Sequence, residues 1–176
     1  MLLKILPSFL AFLYFAKFQG STYNDVVIKE FHFHVYFFQT NENSVNEALN
    51  LWNEIQRNID NGYFKVRLLK FNRTPVGPHP VGSYEIWCPV EYFAKAYSFM
   101  VLNRGWLSIL VHPLTNMEVD DHSQRAGWLG PPVNLDMSRL CAKLKTVPSQ
   151  YHNMCLGYSA VTCAKPDGLD DNYCIA

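Results

Sequence analysis

Apolar and polar positions alternate with a period of two in four stretches of the chain and recur at helical spacing in two others. The first alternating stretch is a strand over about residues 27–38. It sends Phe31, Phe33, Val35 and Phe37 to one face and His32, His34 and Tyr36 to the other. A turn cluster, Thr40-Asn41-Glu42-Asn43, follows. Ser44 with Glu47 three residues on has the form of a capping box. Val45, Ala48, Leu51, Trp52 and Ile55 then trace one side of a helix that Asn61-Gly62 ends. Alternation returns over Tyr63 to Phe71, a second strand. Pro75-Val76-Gly77-Pro78-His79-Pro80 is a rigid, turn-rich loop. Ser83 to Cys88 is a third strand, with Tyr84, Ile86 and Cys88 opposite Ser83, Glu85 and Trp87. Pro89 opens a second helix whose apolar side is Tyr92, Phe93, Ala96, Phe99, Met100 and Val101; Asn103-Arg104-Gly105 closes it. Trp106 to His112 is a fourth strand.

The order βαββαβ predicts an α+β, ferredoxin-like domain, a four-stranded antiparallel sheet with both helices on one face. The expected strand order is 4-1-3-2. The helices cover the apolar face, and the open face carries His32, His34, Tyr36, Glu85, Trp87, Ser108 and His112. Strands 3 and 4 both run antiparallel to strand 1, which brings Glu85 near His34 and His112 towards His32. His122 is close enough in sequence to fold back over them. An aromatic-rich open face also predicts a homodimer.

Composition narrows the partners. Fifteen basic residues balance fifteen acidic ones over 176 residues, which gives no electrostatic reason to expect nucleic acid or an anionic membrane. Lys4 followed by the apolar run Ile5 to Ala16 reads as a signal peptide over residues 1–20, too short to span a bilayer. Cys141, Cys155, Cys163 and Cys174 then read as two disulfides in a C-terminal extension, 133–176, behind a catalytic or binding domain at 26–132. Their connectivity is open among three pairings. Cys88 is expected to be a buried free thiol. The expected location is secreted, or the lumen of the secretory pathway.

Two imidazoles on alternate residues of a strand stand about 7 Å apart on one face, at roughly 3.4 Å rise per residue. With His112 and one carboxylate they form a donor set that suits iron(II), zinc or copper. A histidine left over can take a phenol proton, because its pKa lies near neutrality.

Several separated motifs resemble the DOPA 4,5-dioxygenase family of ring-opening extradiol dioxygenases. They are His32-Phe33-His34-Val35-Tyr36-Phe37, Gly77-Pro78-His79-Pro80, Asn103 to Pro113 with Thr115, Asp121-His122 and Trp128-Leu129-Gly130. The likeness spans about residues 29 to 132; both ends of the chain depart from it. It implies a ferredoxin-like fold, Fe(II) as cofactor, dioxygen, and a catechol such as L-DOPA as substrate. It places the family's histidines at His32, His34, His79, His112 and His122. Among these, strand geometry gives His32, His34 and His112 to the metal, His122 to acid–base work and His79 to the catalytic pocket. Glu85 is an alternative ligand. Arg104 and Tyr36 are candidates for substrate binding, Arg104 for a substrate carboxylate. The competing expectation is a secreted, non-catalytic metal- or ligand-binding module on the same fold.

Overall fold

A computed structural model describes residues 27–163 and residue 174. The expected signal segment lies outside the described residues. The elements are β1 (Glu30–Phe37), α1 (Glu42–Asp60), β2 (Arg67–Leu68), β3 (Gly82–Pro89), α2 (Val90–Asn103), β4 (Ser108–Pro113), a short α3 (Glu118–Asp121) and β5 (Gly127–Leu129). The sheet order is β2-β3-β1-β4-β5, and every pairing is antiparallel. This is the expected 4-1-3-2 arrangement with one further edge strand, β5, added beside β4.

The core lies between the sheet and the helices. Phe33, Val35 and Phe37 of β1 meet Val45, Ala48, Leu51 and Ile55 of α1, with Ala96 and Met100 of α2. Period-two and period-3.6 faces are thus buried against each other, as the alternation requires. Val101 stays 46% exposed and is not part of this core.

Three local expectations are corrected. Ser44 is not the cap of α1. The cap is Asn41, whose side chain accepts from Ser44 N–H, while Ser44 Oγ accepts from Phe38 N–H. Glu47 does not close a capping box; its carboxylate accepts from Trp106 N–H at 2.7 Å, tying α1 to the turn before β4. The second strand is two residues long rather than nine. Arg67 pairs with Trp87, so counting back along the register puts Phe64 opposite Val90, where β3 has already become α2. Phe64 and Val66 are buried all the same.

The polar face of the sheet is covered, not open. Residues beyond β5 cross it, and Tyr151 packs on Trp87 with ring centroids 5.1 Å apart. The fastening point is Glu30, the first residue of β1 and fully buried. Its carboxylate accepts from Trp87 Nε1–H, Ser149 Oγ–H and Tyr158 N–H, each at 2.9 Å. Burial pushes the carboxyl above the ordinary carboxylate range against the pull of these three donors. Gly157, at φ +61°, leaves the space that the Glu30 side chain fills. Tyr158 donates to Leu114 O at 2.7 Å. Two disulfides, Cys141–Cys174 and Cys155–Cys163, secure the crossing segment, and Cys88 is a buried free thiol as expected.

Replacing Glu30 by alanine leaves three donors in a dry interior. Glu30→Ala is expected to cost about 2–4 kcal/mol in urea unfolding. Gly157→Ala, which would place Cβ 2.5 Å from Glu30 Cγ, is expected to destabilise in the same direction. In both variants limited proteolysis should cut first within residues 140–163; cutting elsewhere first would separate Glu30 from the fastening of this segment.

Candidate metal and catalytic centre

Register does most of the assembly. His32 faces His112 across the β1–β4 pair, and His34 faces Glu85 across the β1–β3 pair. All three histidines are buried. A ring nitrogen from each lies within 4.8 Å of one from each of the others. His34 Nε2 and His112 Nε2 are 3.0 Å apart.

The proton positions follow from fixed partners. His112 Nδ1 is 2.8 Å from the carbonyl oxygen of Pro113, which can only accept, so Nδ1 carries the proton and Nε2 presents a lone pair. At 3.0 Å from that lone pair, His34 Nε2 must either donate a proton to it or share a cation with it. His32 Nε2 lies 3.1 Å from Glu85 Oε1. The two are not aligned for a hydrogen bond, and both atoms are buried without a hydrogen-bond partner. Orphaned buried polar atoms are costly unless something outside the protein satisfies them. A divalent cation does so: imidazole nitrogen and carboxylate oxygen are its ordinary ligands. The residues present therefore fit a metal.

Burial governs the electrostatics. Desolvation, followed by the neighbouring imidazoles of His122 and His79, pushes His32 down to about 3. His34 and His112 are held well below the usual histidine value, again first by burial and then by surrounding imidazoles. These side chains are neutral at pH 7, the form that ligates. Burial pushes Glu85 the other way, up to about 7.

Two further histidines close over the cluster. His122 follows α3; its ring centroid is 4.0 Å from that of His112. Its Nδ1 lies 2.9 Å from Glu118 O, so Nδ1 carries the proton and Nε2 is left as an acceptor. The turn is fixed by buried Asp121, which accepts from Thr115 N–H at 2.8 Å, from Thr115 Oγ1–H, and from Arg125 at 2.9 Å. His79 arrives on the proline loop, where Val76 and His79 hydrogen-bond each other's backbone. Its ring lies 4.3 Å from His34 between centroids, and Nδ1 is 2.8 Å from Tyr36 OH. Burial raises the Tyr36 phenol far above its ordinary value, so it stays protonated. Burial, then His122, pushes His79 down to about 4.

The five histidines and Glu85 wall a cavity of about 210 Å³ with Pro78, Leu114, Thr115, Glu118, Asp121 and, from the covering segment, Leu140, Pro148 and Gln150. Every expected histidine and Glu85 is here. Tyr36 reaches the centre only through His79. Arg104 is not in this wall: its guanidinium donates to Leu107 O at 2.9 Å and Gly105 O at 3.1 Å, satisfying carbonyls after α2. The reading of the residues missed the covering segment, because a polar stretch with cysteines carries no period that would place it. It also missed Glu30, although alternation along β1 puts that residue on the same face as His32.

A "DOPA 4,5-dioxygenase" of Amanita muscaria is 48% identical over 137 residues, covering 77% of this chain and 60% of that protein. An uncharacterised 21.2 kDa protein of Botryotinia fuckeliana is 39% identical over 124 residues, covering 65% of this chain and 64% of its own length. The chain thus spans somewhat under two thirds of the curated relatives it matches. Among solved structures, a "putative dioxygenase" of Nostoc punctiforme superposes with a TM-score of 0.53 at 32% identity, covering 63% of this chain and 90% of that one. The profile of the Dopa 4,5-dioxygenase family matches residues 31–139. With more than half of its length so matched, the chain belongs to the Dopa 4,5-dioxygenase family.

Proposed function

We propose that the protein is a non-haem iron(II)-dependent extradiol dioxygenase that opens the ring of a catechol such as L-DOPA with O2. The observation that supports this reading best is the buried cluster of His32, His34 and His112 beside the unpartnered Glu85 Oε1. His32, His34 and His112 would hold the metal, with Glu85 as the carboxylate within reach. Iron(II), when bound, supplies the electron transfer between catechol and dioxygen that the two do not undergo readily by themselves.

The other side chains divide the proton work. His122 is neutral, and with Nδ1 committed to Glu118 O its Nε2 is the base for a catechol hydroxyl. If the protonated Tyr36 donates to His79 Nδ1, His79 Nε2–H becomes the donor facing the same cavity. An acceptor and a donor thus stand on two sides of the histidine cluster, their ring centroids 6.3 Å apart. The covering segment keeps water from the reacting ring. The two disulfides accord with an oxidising compartment, and we place the protein in the secretory pathway or outside the cell.

The direct test is protein loaded anaerobically with iron(II), then given L-DOPA and oxygen. A yellow ring-opened product with about one O2 consumed per substrate is the expected result, since extradiol cleavage breaks one carbon–carbon bond and places both oxygen atoms in the product. Bound metal with no colour and no oxygen uptake across a panel of catechols would leave the binding-module reading in its place. His34→Ala is expected to abolish both metal uptake and turnover; turnover without bound metal would overturn the ligand assignment. His122→Ala should retain metal and lose about 10²–10⁴ in kcat. Equal loss of metal in both variants would instead make His122 a ligand.

The metal-free protein should also lose stability as pH falls. Each cluster histidine has a folded pKa below its unfolded value of 6.5, so the unfolded chain takes up protons that the folded chain refuses. Stability present above pH 6.5 is therefore lost progressively down to about 4, where His79 titrates, and further to about 3 for His32. Glu85, raised to about 7, and Glu30, also raised by burial, oppose this, but they are two groups against five. Thermal melts of the metal-free protein from pH 7.5 to 4 check the direction; a rising Tm on acidification would contradict it.

A further inference from the structure

A second cavity, of about 250 Å³, borders the first on the side of the loop between β2 and β3. The two share His34, Pro78, His79 and Glu85 as walls. A ligand whose hydroxyls reach that common wall can extend its remaining substituent in two directions. One leads under the covering segment, past Thr115, Glu118, Asp121 and Gln150. The other leads past Leu69, Asn72 and Ser83 to Lys70.

The directions differ in charge. The first is lined by two carboxylates. Arg125 offsets that of Asp121, whereas Glu118 has a backbone N–H, that of Cys141, as its partner and no cation among the described residues. Among the described residues, the second carries no carboxylate besides the shared Glu85, and it holds Lys70, the one lysine or arginine in either wall. Lys70 is exposed, at the mouth, and makes no ion pair with any described residue. An ammonium left unpaired at the rim of a cleft attracts an anion; carboxylates in a cleft repel one.

We infer that this second cavity is the subsite for an anionic substituent of the substrate, with the Lys70 ammonium as its partner. Lys70 is then the residue that separates catechols with an anionic side arm from those with a neutral or cationic one. The inference deepens the function proposed above and rests on it. It also moves the carboxylate partner from Arg104, whose Nη1 donates to two backbone carbonyls and which lies outside both walls, to a residue on the opposite edge of the sheet.

The test is binding without turnover. Protein reconstituted with zinc(II), which is redox-inert, is titrated calorimetrically with 3,4-dihydroxyphenylacetate and with 4-methylcatechol, which differ in the carboxylate. Lys70→Ala should weaken the acid about fivefold, the scale of an exposed ion pair, and leave 4-methylcatechol within about twofold. Lys70→Glu should weaken the acid further and tighten dopamine, whose side arm is cationic. Equal weakening of acid and neutral catechol, or no change in either, overturns the Lys70 assignment while leaving the function standing. Failure of the wild-type protein to bind any of the three catechols overturns both. Lys70 is exposed, so unchanged thermal melts are expected to confirm that the variants fold.

Discussion

Packing five imidazoles and a carboxylate out of water is the constraint on which this structure turns. Each imidazole gives up solvation of its charged form, and their mutual repulsion pushes protonation lower still. Such a cluster needs its neutral state enforced and its lone pairs answered. The sheet enforces the first by setting His32, His34 and His112 on two adjacent interior strands, β1 and β4, where all three side chains are buried. The fixed carbonyls of Pro113 and Glu118 orient His112 and His122 by taking the Nδ1 protons. What the protein leaves unanswered is the pair His32 Nε2 and Glu85 Oε1.

The rest of the fold can be understood as support for that arrangement. A conventional apolar layer on the other face of the sheet, from Phe33, Val35, Phe37 and the inner sides of α1 and α2, supplies the burial free energy. Glu30 extends the polar row of β1 by one more position and uses it differently. Its oxygens find three donors within the protein, so it fastens the covering segment and has no need of an external ligand. Two carboxylates on one sheet face, Glu30 and Glu85, thus have opposite fates set by whether donors were placed around them.

Much of this was legible in the sequence because strand and helix periods are local. The alternation in Phe31–Phe38 fixed which residues share a face, and antiparallel topology then put His112 beside His32 and Glu85 beside His34 without further information. What was not legible depends on contacts between residues far apart in the chain. Glu47 matches a capping box perfectly by spacing, yet it bonds to Trp106, 59 residues away. Phe64 to Leu68 alternates like a strand, but a ladder also needs a partner, and by register β3 has already ended opposite Phe64. Tail residues 140–158 show no period, and their place over the histidines is decided by Glu30 and by disulfide pairing, which spacing does not specify.

The register of β1 and β4 has a consequence for how such a protein can diverge. Side chains that would hold the metal sit on β1 and β4, where a slip of one residue would turn every histidine into the apolar core. The groups that face an incoming molecule come from the β2–β3 loop, the turn around α3 and the covering segment, none of which fixes that register. The metal-holding side chains and most of the surface that meets a substrate are therefore encoded in different parts of the chain, with His79 and His122 the two loop positions tied to the proton chemistry. Loop residues other than His79 and His122 can change, and with them the molecule that fits, without moving any of the three histidines that face one another across β1 and β4.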